Sequence, residues 1–133
     1  QFYYPAGVAV DSSGNVYVVE SGNHRIRKIT PADRIEDRTV STFAGSTAGF
    51  ANGTGTEARF NYPYGVAVDS SGNVYVADFN NHRIRKITSA GVVSTLAGSG
   101  DTGFANGTGT AAKFNRPYSV AVDSSGNVYV ADY

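Results

Sequence analysis

Two histidines, His24 and His82, occupy the same place in successive copies of one pattern, and each is followed by Arg-Ile-Arg-Lys-Ile. An imidazole can ligate a metal or carry a proton near neutral pH. A metal site, however, draws three or four ligands to one point, and one His per copy sets the rings a whole repeat apart. Both therefore read as structural, each ring bonding to local backbone at a corner of the chain. Asp11, Asp69 and Asp123 each stand before Ser-Ser-Gly-Asn. A calcium loop places several carboxylates within about twelve residues; each of these turns has one, so the three read as turn caps. Glu20, Asp78 and Asp132 close the strand ahead of that corner, with Arg25 or Arg83 as the expected ion-pair partner where a basic strand follows. No catalytic residue and no metal ligand is assigned, and no cofactor is implied.

The stretch Arg25 to Ile29 and its copy Arg83 to Ile87 lay a basic stripe on each repeat. Nucleic-acid readers combine such a stripe with aromatic stacking groups and a basic balance. Here 11 basic residues offset 11 acidic ones, and no stacking ring shares the strand. Nucleic acid is therefore not the expected partner; the long Arg and Lys stems can instead cover apolar surface. Asn52-Gly53-Thr54 and Asn106-Gly107-Thr108 match the N-glycosylation acceptor pattern, making Asn52 and Asn106 candidate modification sites in a secretory setting. No nucleophile elbow, phosphate loop or zinc-protease motif occurs. The absence of Cys excludes disulfides and thiolate metal sites, and no apolar run has the length of a membrane span.

These residues are positioned by a hairpin. Gly7-Val8-Ala9-Val10-Asp11-Ser12-Ser13-Gly14-Asn15-Val16-Tyr17-Val18 returns unchanged from Gly65 to Val76, and again from Ser119 to Val130 with Ser for the first Gly. Val alternates with smaller or amphipathic residues at the period of a strand, and Asp-Ser-Ser-Gly-Asn supplies the turn. Within one unit the pattern predicts four strands: Gly65 to Asp69, Val74 to Asp78, Arg83 to Thr88 and Val92 to Ala97. Short polar connections make them an antiparallel meander. The units run over 2–59, 60–113 and 114–133, the last incomplete, and the first carries an inserted surface loop within Pro31 to Val40. A Gly- and Thr-rich stretch, Gly98 to Tyr118, leads from the second unit to the third. Its Phe104 and Phe114 predict a packed loop. A composition of 41% hydrophobic and 17% charged residues suits a globular chain.

Pro-Tyr-Gly-Val-Ala-Val-Asp-Ser-Ser-Gly-Asn-Val-Tyr-Val-Ala-Asp from Pro63, followed by Asn81-His82-Arg83-Ile84, resembles the NHL repeat. The similarity covers nearly the whole chain; Glu20 for Asp78, Ser119 for Gly65, and Arg for the Leu of the family's signature are the departures. It implies an all-β, NHL-type β-propeller with four-stranded antiparallel blades, of which this chain covers about two and a half. The first strand of each blade would lie nearest the axis, where small residues such as Gly65 and Ala67 fit, and the fourth outermost. Two and a half blades do not close a ring, so the expectation is a longer protein, an association of copies, or an open filament.

Repetition bears on function. A catalytic site gathers different side chains into mutual reach, whereas these blades present nearly the same ones. The expected role is a non-catalytic binding or structural scaffold, with protein or glycan as partner and further copies of the chain as another. The second expectation is a metal-dependent lyase, because some NHL-like propellers resemble peptide-amidating lyases. Tyr17, Tyr75 and Tyr129 are expected between blades. The positions that differ between units make the candidate binding surface: Tyr4, Tyr62 and Arg116 before Pro; Ser21 and Phe79, with Tyr133, after the second strand; and Arg25 and Arg83 at the basic corner. Richness in Ser, Thr, Gly and Tyr, the absence of Cys and Met, and the resemblance to repeat arrays on secreted bacterial proteins make an extracellular setting the expectation.

Overall fold

The computed structural model describes Gln1–Tyr133. Blade one contains β1 (Pro5–Val10), β2 (Val16–Glu20), β3 (Arg25–Ile29) and β4 (Val40–Gly45), hydrogen-bonded in that order. A two-residue strand, β5 (Gly53–Thr54), follows. Blade two contains β6 (Pro63–Val68), β7 (Val74–Asp78), β8 (Arg83–Ile87) and β9 (Val92–Ala97), and β10 (Pro117–Val122) pairs with β11 (Val128–Asp132). All strand pairs in the blades are antiparallel. The four expected strands of the second unit thus form within a residue or two of their sequence bounds.

Each β1–β2 type turn closes in the same way. In blade two, Asp69 Oδ1 accepts from the Ser71 and Asn73 backbone N–H groups at 3.0 and 2.9 Å, and Oδ2 from Asn73 Nδ2 and the Tyr75 hydroxyl. Gly72 takes φ +84°, a conformation that a side chain would strain. The repeated Asp is a turn cap that also anchors the tyrosine six residues on.

Innermost strands of neighbouring blades nearly touch. A Cβ on Gly65 would lie 2.8 Å from Ser119 Cα and from Tyr118 O, and one on Gly7 would lie 2.6 Å from Tyr64 O. Only glycine lets the backbones approach this closely. The core lies between blades: Tyr17, Val19, Ile26 and Ala44 of blade one face Val74, Val76, Ile87 and Val93, with Ala58 and Phe60 of the connection filling the seam. Blade two has neighbours on both faces, so every residue of β7 is buried. Tyr17 and Tyr75 are buried as expected, but Tyr129 is 60% exposed. Its sheet has two strands only.

The connection from blade one to blade two does more than link. Its strand β5 pairs Gly53 with Val93 and Thr54 with Val92, adding a fifth strand to the outer edge of blade two. This covers an edge that would otherwise present unpaired donors and acceptors. The insertion in blade one is an exposed loop with a 3-10 turn at Ile35–Asp37. No helix is long and apolar enough to cross a membrane.

Candidate functional site

The C-terminal ends of β2 and β7 are each pinned by charge, though not through the expected pair. Glu20 bonds Arg27 and Asp78 bonds Arg85, each at 2.8 Å, rather than Arg25 or Arg83. Register alone does not decide between the two arginines. Asp78 sits opposite Arg83, and Arg85 lies two residues on, on the same face of the sheet. Arg83 turns outward instead, donating to Ser99 O at 2.9 Å with its guanidinium 3.7 Å from the Phe50 ring centroid. Arg85 is fully buried. It donates also to Arg59 O, Ala51 O and Asn52 Oδ1, and lies between the rings of Phe50 and Phe60. The basic stripe of blade two is thus partly an interior clip that fastens the connecting segment. Asn52 and Asn106 both lie exposed on such segments.

The histidines sit at the left-handed residue that ends each 3-10 corner, with φ 55° and 54°. Their partners are not local. His24 Nδ1 accepts from Tyr62 N–H and His82 Nδ1 from Arg116 N–H, each at 3.0 Å, so each ring grips the backbone entering the next blade. Sequence reasoning expected a bond to local backbone; the repeat geometry instead delivers the next unit's entry segment to that corner. Burial, and then the neighbouring Arg25, lowers the His24 pKa below its usual value; burial and then Arg116 do the same for His82. A neutral ring with a lone pair at Nδ1 is the form that this bond requires. Burial and the bond to Asp11 push the Tyr17 phenol up to about 12. No three His, Asp or Glu side chains converge to hold a metal ion.

Tyr4, Tyr62 and Arg116, the residues before Pro, all have positive φ, at 48°, 49° and 54°. Such backbone is costly for a side-chain-bearing residue and persists where surroundings impose it. Here the preceding residue's N–H is also held, Tyr3 by Glu20, Asn61 by Asp78 and Asn115 by Asp132. Two residues beyond Tyr4 and Arg116 the inner strands carry a bulge: Pro5 pairs with Glu20 and Gly7 with Val19, leaving Ala6 over, and Tyr118 is left over in the same way. Tyr64 stands at the corresponding irregularity of blade two. Bulges re-aim side chains.

The result is an aromatic cluster at this end of the blades. Tyr64 stacks on Tyr118 with centroids 5.1 Å apart, and Phe79 meets Tyr64 edge-on at 4.8 Å. Tyr133 and Arg116 approach Phe79 from the third blade. Toward blade one an open groove of about 430 Å³ is lined by Tyr4, Pro5, Ala6, Ser21, Tyr62 and Tyr64 among others. Of the sequence candidates, Tyr4, Tyr62, Ser21, Phe79 and Arg116 come together at this end. Arg25 and Arg83 do not: Arg25 donates to Asn23 O, and Arg83 packs on Phe50. Sequence reasoning missed Tyr64 and Tyr118. Their signal was the same one that marked their neighbours, because the station after Pro also varies between otherwise repeated units, Ala6 in the first against Tyr64 and Tyr118.

A family model described as the NHL repeat matches residues 2–29 and 60–87. NHL repeat-containing protein 2 of Gallus gallus is 39% identical over 102 residues, which cover 75% of this chain and 13% of the relative. The chain belongs to the NHL-repeat family. Its blades superpose on those of an auxiliary nutrient binding protein from Bacteroides thetaiotaomicron with a TM-score of 0.83 at 24% identity, covering 94% of this chain and 34% of that one. That likeness is one of fold. Among the relatives of this NHL chain is a Caenorhabditis elegans protein named "Probable peptidyl-alpha-hydroxyglycine alpha-amidating lyase", 31% identical over 91 residues, 68% of this chain and 24% of the relative. The chain thus spans a minor part of the relatives it matches, and those relatives include a protein named as an enzyme.

Proposed function

We propose that this chain is a non-catalytic binding scaffold that takes a protein partner on the aromatic end of its blades. The observation that carries the reading is the Tyr64–Tyr118–Phe79 cluster with the groove beside it. Rigid amphipathic rings give large contact area at low entropic cost, and tyrosine is enriched at interfaces. The opposite end supports the choice by contrast. Its groove is lined by the Ser, Asn and Asp of the repeated turns, with Tyr17 as its one aromatic. The units differ where the rings stand and agree where the turns stand, as a partner-selecting face on a common frame requires. Composition, rich in Ser, Thr, Gly and Tyr, supports an extracellular setting.

Selection of a displayed peptide library against the chain tests this. Peptides recovered should lose at least tenfold in affinity for the Tyr64→Ser, Tyr118→Ser variant and keep it for Ser70→Ala, Ser71→Ala at the other end. Binders indifferent to the tyrosines would remove the reading, and recognition confined to a glycan array would replace protein by glycan. The likeness to the amidating lyase favours a second reading, a metal-dependent lyase formed with blades outside this chain. Stoichiometric zinc retained through dialysis would favour it; a metal-free protein that still binds peptide would not.

A further inference from the structure

Blade one and blade two differ at two positions that face each other in space. Blade two places Tyr64 on the bulge and Phe79 at the start of the 3-10 corner, with the rings 4.8 Å apart. Blade one has Ala6 and Ser21 at the same two stations. Both rings are missing together, and Ala6 and Ser21 both line the groove of about 430 Å³. The walls are aromatic: Tyr4 on one side, and on the other Tyr62 and Tyr64, the latter already stacked on Tyr118. Ser21 is only 3% exposed, yet its hydroxyl has no hydrogen-bond partner. A buried hydroxyl left unpaired costs free energy that a ligand group would recover.

We infer that this groove is a binding site for a phenolic ring, the side chain of a tyrosine on a partner polypeptide. The ring would continue the Tyr118–Tyr64 stack by one step, at the station where Ala6 stands in place of Tyr64. Aromatic pairs favour such spacing, with centroids about 4.5–7 Å apart. Its hydroxyl would pair with Ser21 Oγ, which is closed to solvent in the unliganded chain and has to turn about χ1 to meet it. The opening suits a presented side chain, because Tyr4 is 69% exposed and leaves the wall accessible. Hydroxyl and ring together distinguish this site from a plain apolar patch: toluene satisfies one half and p-cresol both. The inference names the chemistry recognised on the face proposed above and rests on that reading.

The test is titration of the whole chain with p-cresol, toluene, N-acetyl-tyrosinamide and methyl glucoside, followed by ligand-detected and amide NMR. p-Cresol and N-acetyl-tyrosinamide are expected to bind at millimolar concentration and to shift the Ala6 and Ser21 amides. Ser21→Ala should weaken p-cresol about fivefold, the worth of one hydrogen bond, and leave toluene unchanged. Ala6→Tyr combined with Ser21→Phe restores blade two's own pair, so it should fold with an unchanged melting temperature and abolish binding. Equal binding of p-cresol to wild type and to this filled variant overturns the inference, as does methyl glucoside binding in preference to the phenols. p-Cresol bound without N-acetyl-tyrosinamide would assign the site to a free phenol and remove the polypeptide part. Should library peptides bind the filled variant as well as wild type, the slot falls while the scaffold stands. Should the phenols bind but no peptide be selected, the scaffold falls and the slot stands.

Discussion

The two histidines illustrate how a residue capable of chemistry becomes a fastener. Each accepts a backbone N–H from the following blade through Nδ1, and its neutral form is favoured by burial. The sign of the pH dependence follows. With the folded pKa below the ordinary 6.5, the unfolded chain binds more protons between those two values, so stability rises with pH there. It is complete above about 6.5 and is lost as pH falls through the folded value. Protonated Nδ1 becomes a donor facing a donor. Urea midpoints are expected to fall between pH 7.5 and 5, and the His24→Gln, His82→Gln variant should start lower and show a flatter slope. An equal slope in the variant would assign the dependence elsewhere. The turn-cap carboxylates titrate in a lower window, because hydrogen bonds acting against burial hold Asp11 and Asp69 below 3.8. That the histidines were structural was legible in their spacing of one per repeat. Their partners were not, because a residue 38 or 34 positions away in sequence reaches the corner only once the blades are stacked.

At the scale of elements, strands and turns were legible because Val alternation and Asp-Ser-Ser-Gly-Asn act within a few residues of themselves. Strand β5 was not: Gly53-Thr54 has no strand pattern, and its pairing depends on the edge of β9. The same connection holds the Arg85 clip. Arg85 and Asp78 are both fully buried, and the guanidinium also satisfies the carbonyls of Ala51 and Arg59. Removing one partner of a buried pair leaves an uncompensated charge and costs about 3–5 kcal/mol. Arg85→Ala should therefore show a loss of that size in denaturant titration, together with new protease cleavage between Ala51 and Arg59. Arg85→Lys should fall between, because an ammonium can meet Asp78 but cannot reproduce a fork that reaches two carbonyls at once. If Ala at this position were tolerated with less than about 1 kcal/mol lost, the segment would be held by Phe50, Phe60 and β5 alone.

At the scale of the molecule, stability belongs to the contacts between blades more than to any one blade. The core residues face one another across the blade one to blade two seam, and the inner strands touch through Gly7 and Gly65. In an array that stacks nearest neighbours, each unit's stability is its own plus that of its interfaces. β7 lies between two neighbours and is buried throughout; β2 has one well-packed side; most of β11 is exposed. Local opening needs less free energy where fewer apolar contacts are lost. Amide hydrogen exchange in the isolated chain should therefore rank the β7–β8 pair slowest, β2–β3 intermediate and β10–β11 fastest, although the three β1–β2 type hairpins are nearly the same sequence. This separates the two sources of order, because local propensity alone would give the three hairpins equal protection. Equal rates would mean that each hairpin stands by itself and that stacking adds little. Covering the outer face of β11 with a further blade should slow its exchange toward that of β7, and the Tyr129 ring should then become as buried as Tyr75.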